Sequence, residues 1–453
     1  MDVKVPQALK PGNIGNAVKA AVGHVVSGHA SGTKESSDAS MQATAKVFGA
    51  IQGHWLSACL GVMLQLKVAD ALVDHAASSS SHDNAPAGQP AAAKGAANGR
   101  AAAADDDDSA GMSIEQIAAA CGASSPTATS HLYKVLRVLA QHEMLDELPG
   151  RKFTPNAATV QLVQGEAPSL GHMASHLINP PKWDAWKVLP QAVQQGTTAF
   201  VLAHGMDVYQ YGELPEQAAY GEEFMKAMSF FTRHSLAGGA TNLKDAYDWA
   251  GARVILDVGG GRGELLSSAM SWAGPQAKGL LLDRQMVIDS IDIPGMFEAK
   301  GVAGAAGRLT LMSGDVRQPF PQQAQQAQVD ALLMKHFLSA FSDEDCALIL
   351  KHCRQVLGAA QQRCHSCQME VLAPGGSILL LQTLVPEAGD RQHNTREDGV
   401  APGLFAIEIL AQCPGGAWRT LSEWQALFSA AGLRLAGNTS VGCNMNLMVW
   451  KAQ

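Results

Sequence analysis

The chain has 453 residues, 47% hydrophobic and 16% charged, with a formal net charge of −8 at pH 7; that is long enough for two or three domains with ample core. The acidic balance and the absence of a basic stripe exclude nucleic acid as the main partner. No uninterrupted apolar run approaches the roughly 18–20 residues that cross a bilayer, so no membrane partner is expected.

Eight scattered cysteines in so long a chain point to reduced thiols. The N-terminus carries Asp2 and mixed charges without an apolar h-region, which favours a cytoplasmic location and leaves organellar targeting open. Residues 1–41 are small and polar and read as disordered. Helical spacing of apolar residues follows over 42–75, through Val47, Ile51, Trp55, Leu60, Met63, Leu64, Val68 and Leu72. Runs of serine, alanine and aspartate between 76 and 111 break it, and read as a low-complexity insert. Its four consecutive aspartates, 105–108, are a solvated run, because nothing fixes their geometry for a metal.

Patterning resumes at 112–148, where Ser113 followed by Gln116 reads as a capping box. Two helices joined by a short turn, then RKFTPN, predict a winged helix-turn-helix within a domain spanning 42–165. Its second helix, 126–141, has only Lys134 and Arg137 as cations, so packing or dimerisation is expected of it instead of DNA binding. Further helices are predicted over 166–250.

The third domain, 251–453, begins with RVILDVGGGRGELL at 253–266. An apolar run ends in Asp257 and glycines, then passes into a helical pattern: a buried strand, a tight turn and a helix start. Such a turn lets the backbone approach a ligand closely. Gly259, Gly261 and Gly263 give G-x-G-x-G, and Glu264 stands where the dinucleotide fingerprint needs a third glycine. This favours S-adenosylmethionine over a nicotinamide cofactor. GLLLD at 279–283 is the matching second signal, a strand ending in Asp283, placed for ribose hydroxyls. Strands at 254–258, 279–283, 309–315, 330–335, 377–382 and 446–450 alternate with helices, including 343–357 and 422–431. The pattern predicts an α/β fold, a doubly wound Rossmann-like sheet with its ligand at the carboxyl ends of the strands. Gly259–Gly263, Asp283, Asp315 and Lys335 all fall at such ends. An insert at about 359–370 carries Cys364 and Cys367 as C-x-x-C; with no second pair it reads as a loop with free thiols, and no metal is expected.

HWLSACLGVMLQLKVADAL, LYKVLRVLAQHEML, LDVGGGRG, SGDV, SDEDC, LAPGG and PGGAWRTLSEWQALFSAAGL together resemble the small-molecule O-methyltransferases, the caffeate and acetylserotonin O-methyltransferase family. The resemblance spans roughly 45–450 apart from the inserts. It implies a class I methyltransferase fold, S-adenosyl-L-methionine as cofactor, and a homodimer formed through the winged-helix part. Carried across by position, Gly259, Gly261 and Gly263 would line the methionine moiety and Asp283 would hold the ribose. Asp315 and Val316 would meet the adenine, Lys335 would flank it, and Thr232 stands where the family has a serine near the cofactor carboxylate. Met228 and Trp183 match wall positions for a flat aromatic acceptor, with ordinary core packing as the alternative. Phe230 and Phe231 replace a polar pair of the family, which predicts a drier pocket.

The chain departs from the family at its catalytic positions. The family histidine base falls at Ser339, and its two orienting glutamates at Gln382 and Trp418. A serine hydroxyl is no general base unaided. Three readings stay open: methyl transfer to a small aromatic molecule without a histidine base, rescue by another group, or a catalytically degenerate cofactor-binding scaffold. Rescue by His336 is disfavoured, because three-residue spacing on an extended strand turns it away from Ser339; His204 and His234 also fall in pocket-forming segments. Methyl transfer is the leading reading.

Overall fold

The computed structural model describes residues 34–82, 111–237, 243–298, 305–357, 361–363, 370–372, 375–389, 402–442 and 444–453. The chain divides into two compact units, Met1–Cys59 and Leu60–Gln453, so the boundaries expected near 165 and 250 fall inside the second.

A helix runs from Lys34 to Gln65 and enters the segment expected to be disordered. Residues 34–48 contain no glycine or proline, so nothing interrupts helical hydrogen bonding there. Residues 1–33 lie outside the described residues. By length and composition the stretch Ser40–Gln65, with hydropathy 1.4, is apolar enough to cross a membrane. Lone polar residues divide it, so it contains no long uninterrupted apolar run. The expected single helix is in fact two. Lys67 takes a left-handed φ of 51°, and a second helix, Val68–His82, follows. It continues into the serine run, where Ser78 and Ser79 donate back to Asp74 O and His75 O, at 2.8 and 3.0 Å, and so satisfy their hydroxyls within the helix. The remainder of that insert, 83–110 with its aspartates, lies outside the described residues.

The winged helix forms as the pattern predicts. Strands β1 (Met112–Ser113), β2 (Asp146–Leu148) and β3 (Lys152–Thr154) make a sheet in the order β1-β3-β2. Ser113 and Gln116 close the capping box. Leu132, Leu136 and Leu139 bury one stripe of the helix Pro126–Gln141. Short helices then lead to Ala218–Ala237. Ala185, Ala192, Phe200, Val208 and Tyr220 pack with Ala411 and Cys413 from the C-terminal region.

The large sheet contains β4 (Val254–Val258), β5 (Lys278–Asp283), β6 (Leu309–Ser313) and β7 (Ala331–Lys335). After a separate hairpin, β8 (Gln361–Arg363) with β9 (Glu370–Leu372), come β10 (Ser377–Gln382), β11 (Leu433–Ser440) and β12 (Asn446–Ala452). Seven strands lie in the order β11-β12-β10-β7-β4-β5-β6, and β12 runs antiparallel to both its neighbours. The C-x-x-C pair falls between β8 and β9, outside the described residues. Alternate residues of the parallel strands serve two cores: Leu256, Leu280, Leu332 and Leu380 on one face, Ile255, Leu281, Leu333 and Leu379 on the other. Both faces are buried, which is why these strands read as continuous apolar runs. Strand β11 escaped the sequence reading because its residues are mostly exposed or half-buried and it pairs only with β12. The sheet reverses its winding between β4 and β7, the place where such sheets bind ligands.

Candidate active site

A cavity of about 770 Å³ opens at the carboxyl ends of β4 to β7. Its first wall is the turn after β4. Gly259 and Gly261 have φ of 69° and 57°, a conformation that glycine adopts without cost. A Cβ on Gly259 would fall 2.1 Å from the Phe337 ring, whereas one on Gly261 would meet nothing within 4 Å. The backbone at Gly261 thus borders open space, a cradle that a side chain would intrude on. Gly263 begins the helix Glu264–Ala273 and packs against Met296, away from the cavity wall.

Asp283, at the end of β5, accepts the Gly261 N–H at 2.8 Å and the Arg284 N–H at 2.7 Å. Burial raises its pKa and those two bonds oppose the rise. Asp257 sits beneath Gly260 with Oδ2 buried and no hydrogen-bond partner among the described residues. Burial, then the nearby Asp283 charge, push it up to about 8. Burial takes Lys335 down to about 8, against the pull of Glu264 and Asp257. Its ammonium lies 4.2 Å from the centre of the Phe231 ring. Asp315 faces the cavity, but its carboxylate accepts from Arg317 Nε and Nη2, both at 3.0 Å, which lowers its pKa. Val316 and Thr232 also line the cavity, and the Thr232 hydroxyl donates to Met228 O within its own helix.

The acceptor side is aromatic. Met228, Phe231, Phe405 and Trp418 line it. Trp183 does not; its neighbour Lys182 does, because the short helix Pro180–Lys187 turns one position further inward than the resemblance implied. Gln382 is fully buried behind the wall, its Nε2 near Thr383 O. Trp418 is on the wall, stacked on Phe405 at 5.5 Å and 9° and on His336 at 5.5 Å and 25°.

Ser339 and His336 differ most from expectation. The strand ends at Lys335 and His336 takes a left-handed φ of 50°, so spacing on an extended strand no longer decides where its ring points. The imidazole lines the cavity between Phe231 and Trp418. Both ring nitrogens are buried without a partner among the described residues. Burial and the Lys335 charge hold its pKa well below the ordinary histidine value, so the ring is neutral at pH 7. The Ser339 hydroxyl donates to His336 O at 2.9 Å, bonding to the kinked residue's own carbonyl. His204 instead meets Pro181 O, and His234 stacks on Phe230; neither lines the cavity.

A polar end of the cavity, formed by His176, Lys182, Tyr220, Glu408 and Gln412, was not anticipated; a drier pocket was. The Lys182 ammonium pairs with the Glu408 carboxylate, their side chains 3% and 13% exposed. One signal was available: Glu408 is a lone carboxylate in the apolar helix Pro402–Gln412, and such a charge is rarely buried without a partner.

Residues 186–434 match the O-methyltransferase domain family. The chain belongs to that family. It is 28% identical, over 72% of its length and 80% of the relative's, to a mitomycin biosynthesis 6-O-methyltransferase of Streptomyces lavendulae. A caffeic acid 3-O-methyltransferase of Catharanthus roseus is 27% identical over 74% of this chain and 82% of its own. The fold is that of a mitomycin 7-O-methyltransferase structure, with a TM-score of 0.66 at 24% identity over 92% of this chain and all of that one. A neocarzinostatin-biosynthesis O-methyltransferase in complex with S-adenosylmethionine and a naphthoic acid has a TM-score of 0.60 at 19% identity, over 88% of this chain and 96% of that one.

Proposed function

We propose that this O-methyltransferase transfers the methyl group of S-adenosylmethionine to an oxygen of a small aromatic acceptor. The observation that carries the reading is one continuous cavity lined both by the glycine turn, Asp283 and Asp315 and by Met228, Phe231, Phe405 and Trp418. The cofactor supplies a methyl carbon already activated on a sulfonium, so placing an acceptor oxygen in line with it provides much of the acceleration. Asp283, fixed by two backbone N–H groups, offers its remaining lone pairs to ribose hydroxyls. The aromatic walls hold a flat ring and exclude water. His336 replaces the family histidine in part: a neutral ring nitrogen accepts the acceptor's O–H and takes its proton as the oxygen–methyl bond forms and the sulfur–methyl bond breaks. Ser339 is then a positioning residue, bonded to the His336 carbonyl. The winged-helix part forms the homodimer.

Calorimetric titration with S-adenosylmethionine and S-adenosylhomocysteine tests the cofactor half. Micromolar binding that Asp283→Ala weakens at least tenfold supports it; no binding by folded protein overturns it. Transfer of labelled methyl groups to a panel of phenols tests the rest. His336→Gln should retain more turnover than His336→Ala, since an amide still accepts a hydrogen bond. Cofactor binding with no transfer to any phenol would favour a non-catalytic scaffold. Size-exclusion chromatography with light scattering checks the dimer.

A further inference from the structure

The polar end of the cavity is a built site that the family's chemistry leaves unassigned. Glu408 and Gln412 lie four residues apart on the helix Pro402–Gln412, and so share a face. Lys182 is tied to Glu408, and the His176 ring lies 5.9 Å from that of Tyr220. Gln412 is 2% exposed and both its amide atoms lack a partner among the described residues; so do the Tyr220 hydroxyl and His176 Nδ1. Leaving such a group buried and unpaired is unfavourable. All three residues line one cavity, so a ligand there is placed to complete the bonding.

Their chemistry narrows the ligand. The Lys182 and Glu408 charges cancel. Burial keeps His176 uncharged, with its pKa well below the ordinary value, and keeps Tyr220 protonated. A carboxylate entering here would face Glu408 while finding Lys182 already paired. Gln412 presents a donor and an acceptor side by side, the edge that another amide matches with two antiparallel bonds. Resting on the methyl-transfer reading above, we propose that Gln412, Tyr220 and His176, beside the Lys182–Glu408 pair, select an aromatic acceptor bearing an uncharged amide-type group, a carboxamide or lactam, in preference to a free carboxylate.

The test uses the full chain saturated with S-adenosylhomocysteine, and titrates salicylamide, salicylate and phenol as probes. Salicylamide should bind about tenfold tighter than phenol, the worth of two neutral hydrogen bonds, and tighter than salicylate. Gln412→Leu should reduce salicylamide to the affinity of phenol while S-adenosylhomocysteine binding stays unchanged, which also reports that the variant is folded. Tyr220→Phe, a smaller perturbation, should lower the salicylamide preference without changing phenol. Salicylate binding tightest, salicylamide no tighter than phenol, or a preference that survives both substitutions would overturn the proposal. Absence of S-adenosylhomocysteine binding would instead overturn the function it rests on, so the two failures are distinguishable.

Discussion

Lys182→Met isolates the energetics of the polar end. It deletes the cation of a pair whose side chains are 3% and 13% exposed while keeping an unbranched, apolar stem in place. Breaking a buried ion pair by removing one partner costs about 3–5 kcal/mol, because the other charge stays buried and uncompensated. The double variant Lys182→Met with Glu408→Leu leaves no charge stranded and should recover most of the loss. Urea unfolding at pH 7 gives the midpoints at constant slope. A loss below about 1 kcal/mol, or one that the double variant does not recover, would refute the claim that this pair is desolvated.

Three further outcomes follow from the same geometry. Gly261→Ala should weaken S-adenosylhomocysteine binding at least tenfold by calorimetry and cost about 1–2 kcal/mol of stability, since its φ is left-handed but its Cβ meets no atom; Gly376→Ala, whose Cβ would sit 2.2 Å from Val329 O, should do the reverse, destabilising without a specific binding defect. Asp257, held up to about 8 in the folded protein, is protonated there at pH values where the unfolded chain is ionised. Its contribution is complete below about pH 4 and is lost as pH rises toward 8. Asp257→Asn should accordingly flatten the fall in melting temperature across that window, and an unchanged slope would contradict the burial. Arg419 is 4% exposed, bonds Asp343, Phe341 O and Ala417 O, and lies over Trp424. Arg419→Ala should cost about 2–4 kcal/mol in denaturant unfolding and shift the neighbouring Trp418 fluorescence; a loss under about 0.5 kcal/mol would show the contacts to be incidental.

Much of the molecule was legible in the sequence, because local chemistry and tertiary demand coincide there. Strands β4, β5, β7 and β10 are buried on both faces, so apolar runs alone mark them. The glycine turn, Asp283, Asp315 and Lys335 follow strand ends, and a doubly wound sheet gathers all such ends at one place. The capping box at Ser113 is purely local and formed as written. Tertiary structure decided the rest. Whether His336 faces the acceptor depended on a left-handed residue just past β7, and strand spacing cannot anticipate a kink that a neighbouring hydroxyl bonds to. Trp183, Gly263 and Gln382 have the right neighbours in sequence but lie off the wall, since a one-position turn of a helix or strand exchanges inside for outside. The polar end joins residues 182 and 408, more than two hundred positions apart. Sequence supplies a lysine and a glutamate with no sign that they meet; only the packing of their two helices removes them from water and makes their pairing obligatory.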